Sequence, residues 1–566
     1  MTRSRILVAV LALALVVSAC GGGGAGPQAG GPSHPPAVDE NDINPVPRDQ
    51  VADGGTLRWP IDVIPPNYNY NQLDGPNQPN YDIMFALLPQ AFRSDARGVI
   101  SINHDLLQSA EITATQPQQI ITYRINPKAT WSDGKPITWV DFEAQWKALN
   151  GTDPAFNIAA SNGYDQIERV ARGKDDREAV VTFRRSFGDW RGLFSPLYPA
   201  SMNSDPAVFN TGWIEKPLVT AGPFTFDRID RTAETVTLVR DERWWGAPAK
   251  LDRIIFRVLE DDARADALAN GEVDFIEIAV DVNKLQRAQA TAGVEIRRAA
   301  GPNFNHITFN GTSEVLRDLR VRRAIAMGID RRTITEALLR PLGLPAVTLG
   351  NHIFMVNQLG YQDNSGELGT YDPQKAAALL DEAGWRQEGG VRKRDGKELT
   401  LRMIIPAQVA VSQQIGELVQ GMLGQIGVKV SIDVVPSADQ FKNYITPGNY
   451  DLAPFAWGGT PYPISSSQSI YQNPTPRPDG QLDVRQNFAR VGSAEIDQMF
   501  VTAITELDVA KATALANQID VLIWQEVHSL PLYQRPDIFA VKSTLANFGA
   551  RGFADNIYED IGFITG

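Results

Sequence analysis

Leu399-Thr-Leu-Arg-Met-Ile-Ile405, Ile415-Gly-Glu-Leu-Val-Gln-Gly-Met-Leu-Gly-Gln-Ile-Gly427 and Val428-Lys-Val-Ser-Ile-Asp-Val434 follow one another closely, and their apolar periods decide the fold. Leu399, Leu401, Met403 and Ile405 alternate, as on a half-buried strand. Ile415, Leu418, Val419, Met422, Leu423 and Ile426 recur at helical spacing, and Gly427 stops the helix. Val428, Val430, Ile432 and Val434 alternate again. Ser437-Ala-Asp-Gln440 reads as a capping box opening a short helix through Tyr444, before a third strand ending at Trp457. Strand, helix, strand, helix, strand in this order predicts parallel strands joined by right-handed crossovers.

A second unit of the same kind lies upstream. Ile254 to Leu259 is strand-like, Asp261 to Asn270 helix-like with Gly271 as its stop, and Val273 to Ile278 a strand. Between the two units, Asp318 and Asp372-Pro373 are helix starts, and Gly384 is a stop. The body is therefore two α/β lobes. Residues 76–219 differ, with shorter strands, more turns and Trp131, Trp139, Trp146 and Trp190, and read as an extra α+β subdomain.

At the other end of the chain, Arg3 and Arg5 precede an apolar run from Ile6 to Val17, and Val17-Ser-Ala-Cys20 closes it. The run is too short for a bilayer span, which needs about 20 residues. A charged start, a short apolar stretch and small residues before a cut describe a secretory signal. The segment resembles a bacterial lipoprotein signal, which implies acylation of Cys20 and an extracytoplasmic, membrane-tethered protein. Removing residues 1–19 takes away both arginines and leaves a net charge near −15. An acidic body argues against nucleic acid and against electrostatic docking on anionic lipid. Cys20 is the single cysteine of 566 residues, so no disulfide supports the fold. Gly21 to about Asp53 is rich in Gly, Pro, Ala and Asn and reads as a flexible tether. Its Gly21-x-Gly23-x-x-Gly26 follows no strand and opens no helix, so it cannot cradle a phosphate.

Reactive constellations are missing from the pattern. The histidines at 34, 104, 306, 352 and 528 have no paired spacing and no thiol to join them, which argues against a metal site. No G-x-S-x-G elbow and no phosphate-binding G-x-x-x-x-G-K-[ST] loop occurs. Carboxylate pairs such as Asp261-Asp262 read as helix caps or solvated faces. Two lobes without catalytic machinery suit a clamp that binds and releases, with neither enzyme activity nor cofactor.

Five segments carry a family resemblance: Ala129-Thr-Trp-Ser-Asp-Gly-Lys-Pro-Ile-Thr138; Ala221-Gly-Pro-Phe224 with Asp241-Glu-Arg-Trp-Trp-Gly246; Ala267-Leu-Ala-Asn-Gly-Glu-Val-Asp274; Phe309-Asn310 with Asp318-Leu-Arg-Val-Arg-Arg-Ala-Ile-Ala-Met-Gly-Ile-Asp-Arg331; and Tyr371-Asp-Pro373 with Ala383-Gly-Trp385. In order and spacing they resemble the family 5 solute-binding proteins of ABC importers, the dipeptide, oligopeptide and nickel class. The resemblance implies a type II periplasmic-binding-protein fold in which a hinge of crossing strands joins the lobes and ligand is swallowed between them. Lobe I would then comprise 54–75, 220–302 and a return at 521–566, with the subdomain at 76–219 and lobe II at 303–520. The implied partners are a small-molecule or peptide ligand, an ABC permease and, through Cys20, the lipid bilayer; the protein would act as a monomer.

Ligands of open α/β sheets sit beyond the carboxyl ends of strands, where Trp457-Gly-Gly-Thr460 falls. In peptide-binding relatives that tryptophan contributes to the pocket, and an acid three residues later pairs with the peptide's amino group. Here that position is Thr460, and an arginine of some relatives is replaced by Pro454. A neutral hydroxyl cannot match a charge-assisted bond of about 1.5–3 kcal/mol. Position in relatives also makes Tyr68, Tyr70, Asp74 and Asn77 cleft candidates, with Asp74 a replacement acid. Asn305 and His306 precede an inter-lobe strand ending at Asn310, and Pro461 to Gly480 suits an adaptable wall. Short peptides are the leading cargo. Blocked peptides, oligosaccharides, a metal chelate, or presentation of ligand to a membrane sensor are the alternatives.

Overall fold

The computed structural model describes residues 40–478, 480 and 482–565. Cys20, the signal and the tether up to residue 39 lie outside the described residues. From Asp42 the chain is docked rather than tethered. The Asp42 N–H donates to the Ala550 carbonyl, Val46 N–H to Asn547 Oδ1, and Val51 is buried. Backbone pairing thus ends the tether well before Asp53, where composition had placed its limit.

A four-stranded sheet runs in the order Thr56–Ile61, Arg253–Val258, Thr235–Arg240, Phe224–Asp230; its first pair is parallel and the others antiparallel. An antiparallel sheet of Leu107–Ala114, Ile120–Ile125, Glu178–Phe183 and Ile167–Arg172, with helix Trp139–Leu149, forms the subdomain. One buried cluster spans both, from Trp59 and Ile83 to Tyr123, Phe142 and Trp190. The subdomain therefore shares the core of the sheet beside it.

The second large sheet orders Phe275–Glu277, Ser529–Lys542, Val294–Phe309, Leu452–Gly458, Thr400–Pro406, Lys429–Val435. Thr400–Pro406 pairs in parallel with Lys429–Val435 along its whole length, as the alternation requires. The short helix after it differs from expectation. Ser437 is not a cap; its hydroxyl donates to the Ala407 carbonyl, and one turn passes into a π-helix over Gln440–Ile445.

Two long antiparallel strands, Val294–Phe309 and Ser529–Lys542, tie the halves together. Their register breaks between Ala300 (opposite Pro536) and Phe304 (opposite Gln534). Pro302 and Pro536 donate no ladder bond, and a Cβ on Gly301 would come within 2.7 Å of the Arg535 carbonyl. The break separates the part paired with Phe275–Glu277 from the part paired with Leu452–Gly458. Residue 521 is therefore not a lobe boundary. It lies inside the helix Val509–Glu526, whose Ile519 and Ile523 pack with Phe354 and Phe500. The packing also assigns the 264–289 region differently: Ala265, Leu268 and Leu285 join the cluster of Ile307, Met403 and Leu423 along the six-stranded sheet.

Most of the quoted segments have scaffold duties. Trp131 Nε1 donates to Asp141, Asp318 and Asp330 cap helices, and buried Arg331 donates to the carbonyls of Leu349, Gly369 and Pro531.

Candidate functional site

Strand Leu452–Gly458 delivers Phe455 and Trp457 onto one face, opposite His306 and Phe304 of the neighbouring strand. The rings build a wall. Trp457 lies near-parallel to His306 (6.1 Å, 12°) and to Phe488 (5.8 Å, 4°), while Phe455 stands edge-on to His306 at 4.4 Å. His306 is enclosed, and burial pushes its pKa down to about 3, so the ring is neutral. Its Nε2 meets Thr308 Oγ1 at 2.7 Å. Trp457 keeps part of its surface open.

Facing this wall is the loop after the second long strand. Phe553 packs with Phe304 and Met355 and meets Trp457 in the same cluster. Two residues on, Asp555 turns the other way and accepts from Ser94 N–H (2.8 Å) and Tyr81 O–H (2.9 Å). Gly552 N–H donates to Asp537 at 3.2 Å, which fixes the loop against the crossing strand. Burial pushes Asp82 up to about 7 and Asp537 up to about 6, in both cases against the pull of Arg551. Arg551 stays charged: burial opposes its charge, and Asp82 leads the groups that sustain it.

The subdomain closes the third side. Asp189 accepts the Ser465 N–H at 3.2 Å, at the start of helix Pro463–Tyr471, and burial raises its pKa. The Tyr462 ring lies over Gly192, where a Cβ would stand 3.2 Å from it, and burial raises its phenol strongly. Tyr81, Asp189, Tyr462, Asp537, Arg551 and Asp555 share one property. Each is partly open to water, yet burial is the foremost influence on its charge. These partly open side chains gather where the crossing strand, the loop at 550–556 and the subdomain meet. A separate open depression of about 590 Å³, lined by Thr115, Gln116, Ser186, Thr502, Glu506 and Asp508 among others, has no aromatic lining.

Of the residues expected at the site, Trp457 stacks with His306 and Phe488 and keeps part of its surface open, and Tyr70 stands edge-on to Tyr81. The others serve the fold. Tyr68 is fully buried with its carbonyl bonded to Tyr198 O–H, and Asn77 caps the helix Gln78–Leu87. Asp74 is exposed on a turn held by Gln72 and is not a replacement acid in the cleft. Asn305 points to the opposite face of its strand and donates to Tyr533 O–H at 2.8 Å. His306 supports the wall from behind at 1% exposure. Thr460 Oγ1 is committed internally: it donates to Ser466 Oγ and accepts the Tyr462 N–H. Asp82, Asp189, Asp537, Arg551 and Asp555 were missed. A lone aspartate in the apolar helix Gln-Pro-Asn-Tyr-Asp-Ile-Met-Phe-Ala-Leu87 was a readable hint of a buried acid. Arg551 sits in a loop without periodicity and gave no signal.

Residues 103–479 match the model of the bacterial extracellular solute-binding proteins, family 5, middle region. The chain is similar to the oligopeptide-binding protein OppA of Mycobacterium tuberculosis (strain ATCC 25618 / H37Rv), 43% identical over 529 residues, covering 93% of this chain and 87% of the relative. Among solved structures it is similar to the periplasmic EDTA-binding protein EppA (TM-score 0.84, 27% identity, 93% of this chain and 98% of that one). It also resembles AppA from Bacillus subtilis in complex with a nonapeptide (TM-score 0.73, 18% identity, 91% and 100%), a likeness of fold.

Proposed function

The chain belongs to the family 5 bacterial extracellular solute-binding proteins, and from that membership we propose that it captures short peptides in the seam between its lobes and hands them to an ABC importer. It is a binding protein with a type II periplasmic-binding-protein fold, not an enzyme. The observation that carries the peptide reading is the 43% identity to an oligopeptide-binding protein across 93% of the chain. The site supports it in kind. Trp457, part of whose surface is open, offers a ring face to side chains of any sequence.

Closure would bend the crossing strands where their register breaks, between Ala300 and Phe304, with ligand touching both walls favouring the closed form. The contacts of Asp189 with Ser465 and of Tyr462 with Gly192 would then form last and exclude water. Acylation of Cys20 would hold the monomer within reach of its permease; Cys20→Ala should release it from the membrane fraction.

Native mass spectrometry of the purified protein, followed by thermal shift with a random tetrapeptide library, tests the reading. Bound masses that fragment as peptides are expected. A retained solute of another class, with no stabilisation by the library, overturns it. A second reading, capture of a polycarboxylate chelate, is favoured by the consumed Thr460 hydroxyl and by the similarity to an EDTA-binding protein.

A further inference from the structure

Arg551 has no ion pair within 4.0 Å and no side-chain hydrogen bond among the described residues, although carboxylates surround it. Each of those acids is engaged elsewhere. Asp82 Oδ1 accepts from Gln78, Asp537 from the Gly552 N–H, and Asp555 from Ser94 and Tyr81. Two other buried arginines are bonded within the fold: Arg331 serves three carbonyls, and Arg297 serves those of Leu545 and Phe548. A guanidinium carries five N–H donors in a planar fork that matches a carboxylate.

The loop holds Arg551 in place on both sides. Phe553 is anchored in the aromatic cluster of one lobe, and Gly552 and Asp555 are anchored on the other. A Cβ at Gly552 would come within about 3 Å of the carbonyls of Glu40, Ala96 and Ala300, so the loop backbone cannot slide. The backbone that carries the fork is thus fixed between these anchors.

We propose that Arg551 is a specificity residue that takes a carboxylate of the ligand, the C-terminal carboxylate of a peptide or one arm of a polycarboxylate. This rests on the capture function above and deepens it. The neighbouring acids are compatible with that role. Burial pushes Asp82 up to about 7 and Asp537 up to about 6, so each gives up its proton later than an ordinary carboxyl and repels an arriving carboxylate less. Tyr81, Tyr558, Asp555 and the exposed Glu277 are the remaining titratable groups that face this cluster.

The test compares a random tetrapeptide library as free acids with the same library as C-terminal amides, bound to wild type, Arg551→Gln and Arg551→Lys and read by native mass spectrometry. Wild type should prefer the acids by roughly 10- to 100-fold, the value of a charge-assisted pair. Arg551→Gln should bind both libraries alike at the level of the amides. Arg551→Lys, which keeps the charge but not the fork, should retain a reduced preference. Equal binding of acids and amides by wild type, or an unchanged preference in Arg551→Gln, overturns the assignment. If neither library binds, the peptide reading falls, and citrate and EDTA become the probes. Stabilisation of wild type but not of Arg551→Gln then supports a carboxylate-binding Arg551 with a polycarboxylate ligand, and equal or absent stabilisation overturns it.

Discussion

The two walls of the cleft are built from opposite chemistry. On one side Phe455, Trp457 and Phe488 stack around a neutral His306, and no charged group is among these rings. On the other, Asp82, Asp537, Asp555 and Arg551 are drawn from three separated segments around the loop at 550–556. The aromatic wall grips by area and polarisability, which are indifferent to sequence. The charged wall discriminates, because an enclosed charge is satisfied by few partners. A receptor for many related ligands needs both, and under the capture proposed above the two would act together on closure.

The contrast can be broken most severely from the aromatic side. Trp457→Ala should weaken tetrapeptide binding by on the order of 30-fold or more and remove ligand-induced thermal stabilisation; an unchanged shift would move the site elsewhere. Gly192→Val acts on closure alone, by setting a side chain against the Tyr462 ring. We expect roughly tenfold weaker binding through depletion of the closed form, with a larger radius of gyration in ligand-saturated small-angle scattering. An unchanged radius would show that this contact does not gate closure. Asp189→Asn keeps an acceptor for Ser465 but loses the charge at a helix start, and a loss of about threefold is expected by calorimetry.

The smallest effect concerns stability. Folded Asp82 keeps its proton up to about pH 7, whereas the unfolded residue releases it near 4. Between those values the folded state binds more protons, so stability falls as pH rises. Asp82→Asn should therefore gain in melting temperature relative to wild type as pH climbs from about 5 to about 8. A difference that stays constant would contradict the burial assigned to this carboxyl. His306 works with the opposite sign. Its depressed pKa withdraws stability as pH falls from about 6.5 toward 3.

Much of the fold was readable because its signals are local. The alternation from Leu399 to Ile405 and the helical spacing from Ile415 to Ile426 each report a buried face, and these segments fold as such. Ser437 misled because a capping box is a statement about backbone geometry, and here the nearby Ala407 carbonyl claimed the hydroxyl. Trp457 was legible as a residue at the carboxyl end of a strand. Tyr68, Asn77 and His306 were legible as polar or aromatic residues near the seam, but which face each side chain takes depends on what packs against it. Tyr68 faces Tyr198 and Phe226, and Asn77 faces its own helix start.

The sequence alone determined the two-lobed α/β body, the absence of catalytic motifs and the family, because periodicity and ordered motifs are properties of short stretches. Only the tertiary structure decided where charge enters the cleft. Asp82 lies hundreds of residues from Asp537 and Arg551, and their shared burial exists only once the crossing strands and the loop after them are in place. Burial sets the protonation of those acids and leaves the fork of Arg551 open, and burial is a property of the assembled molecule.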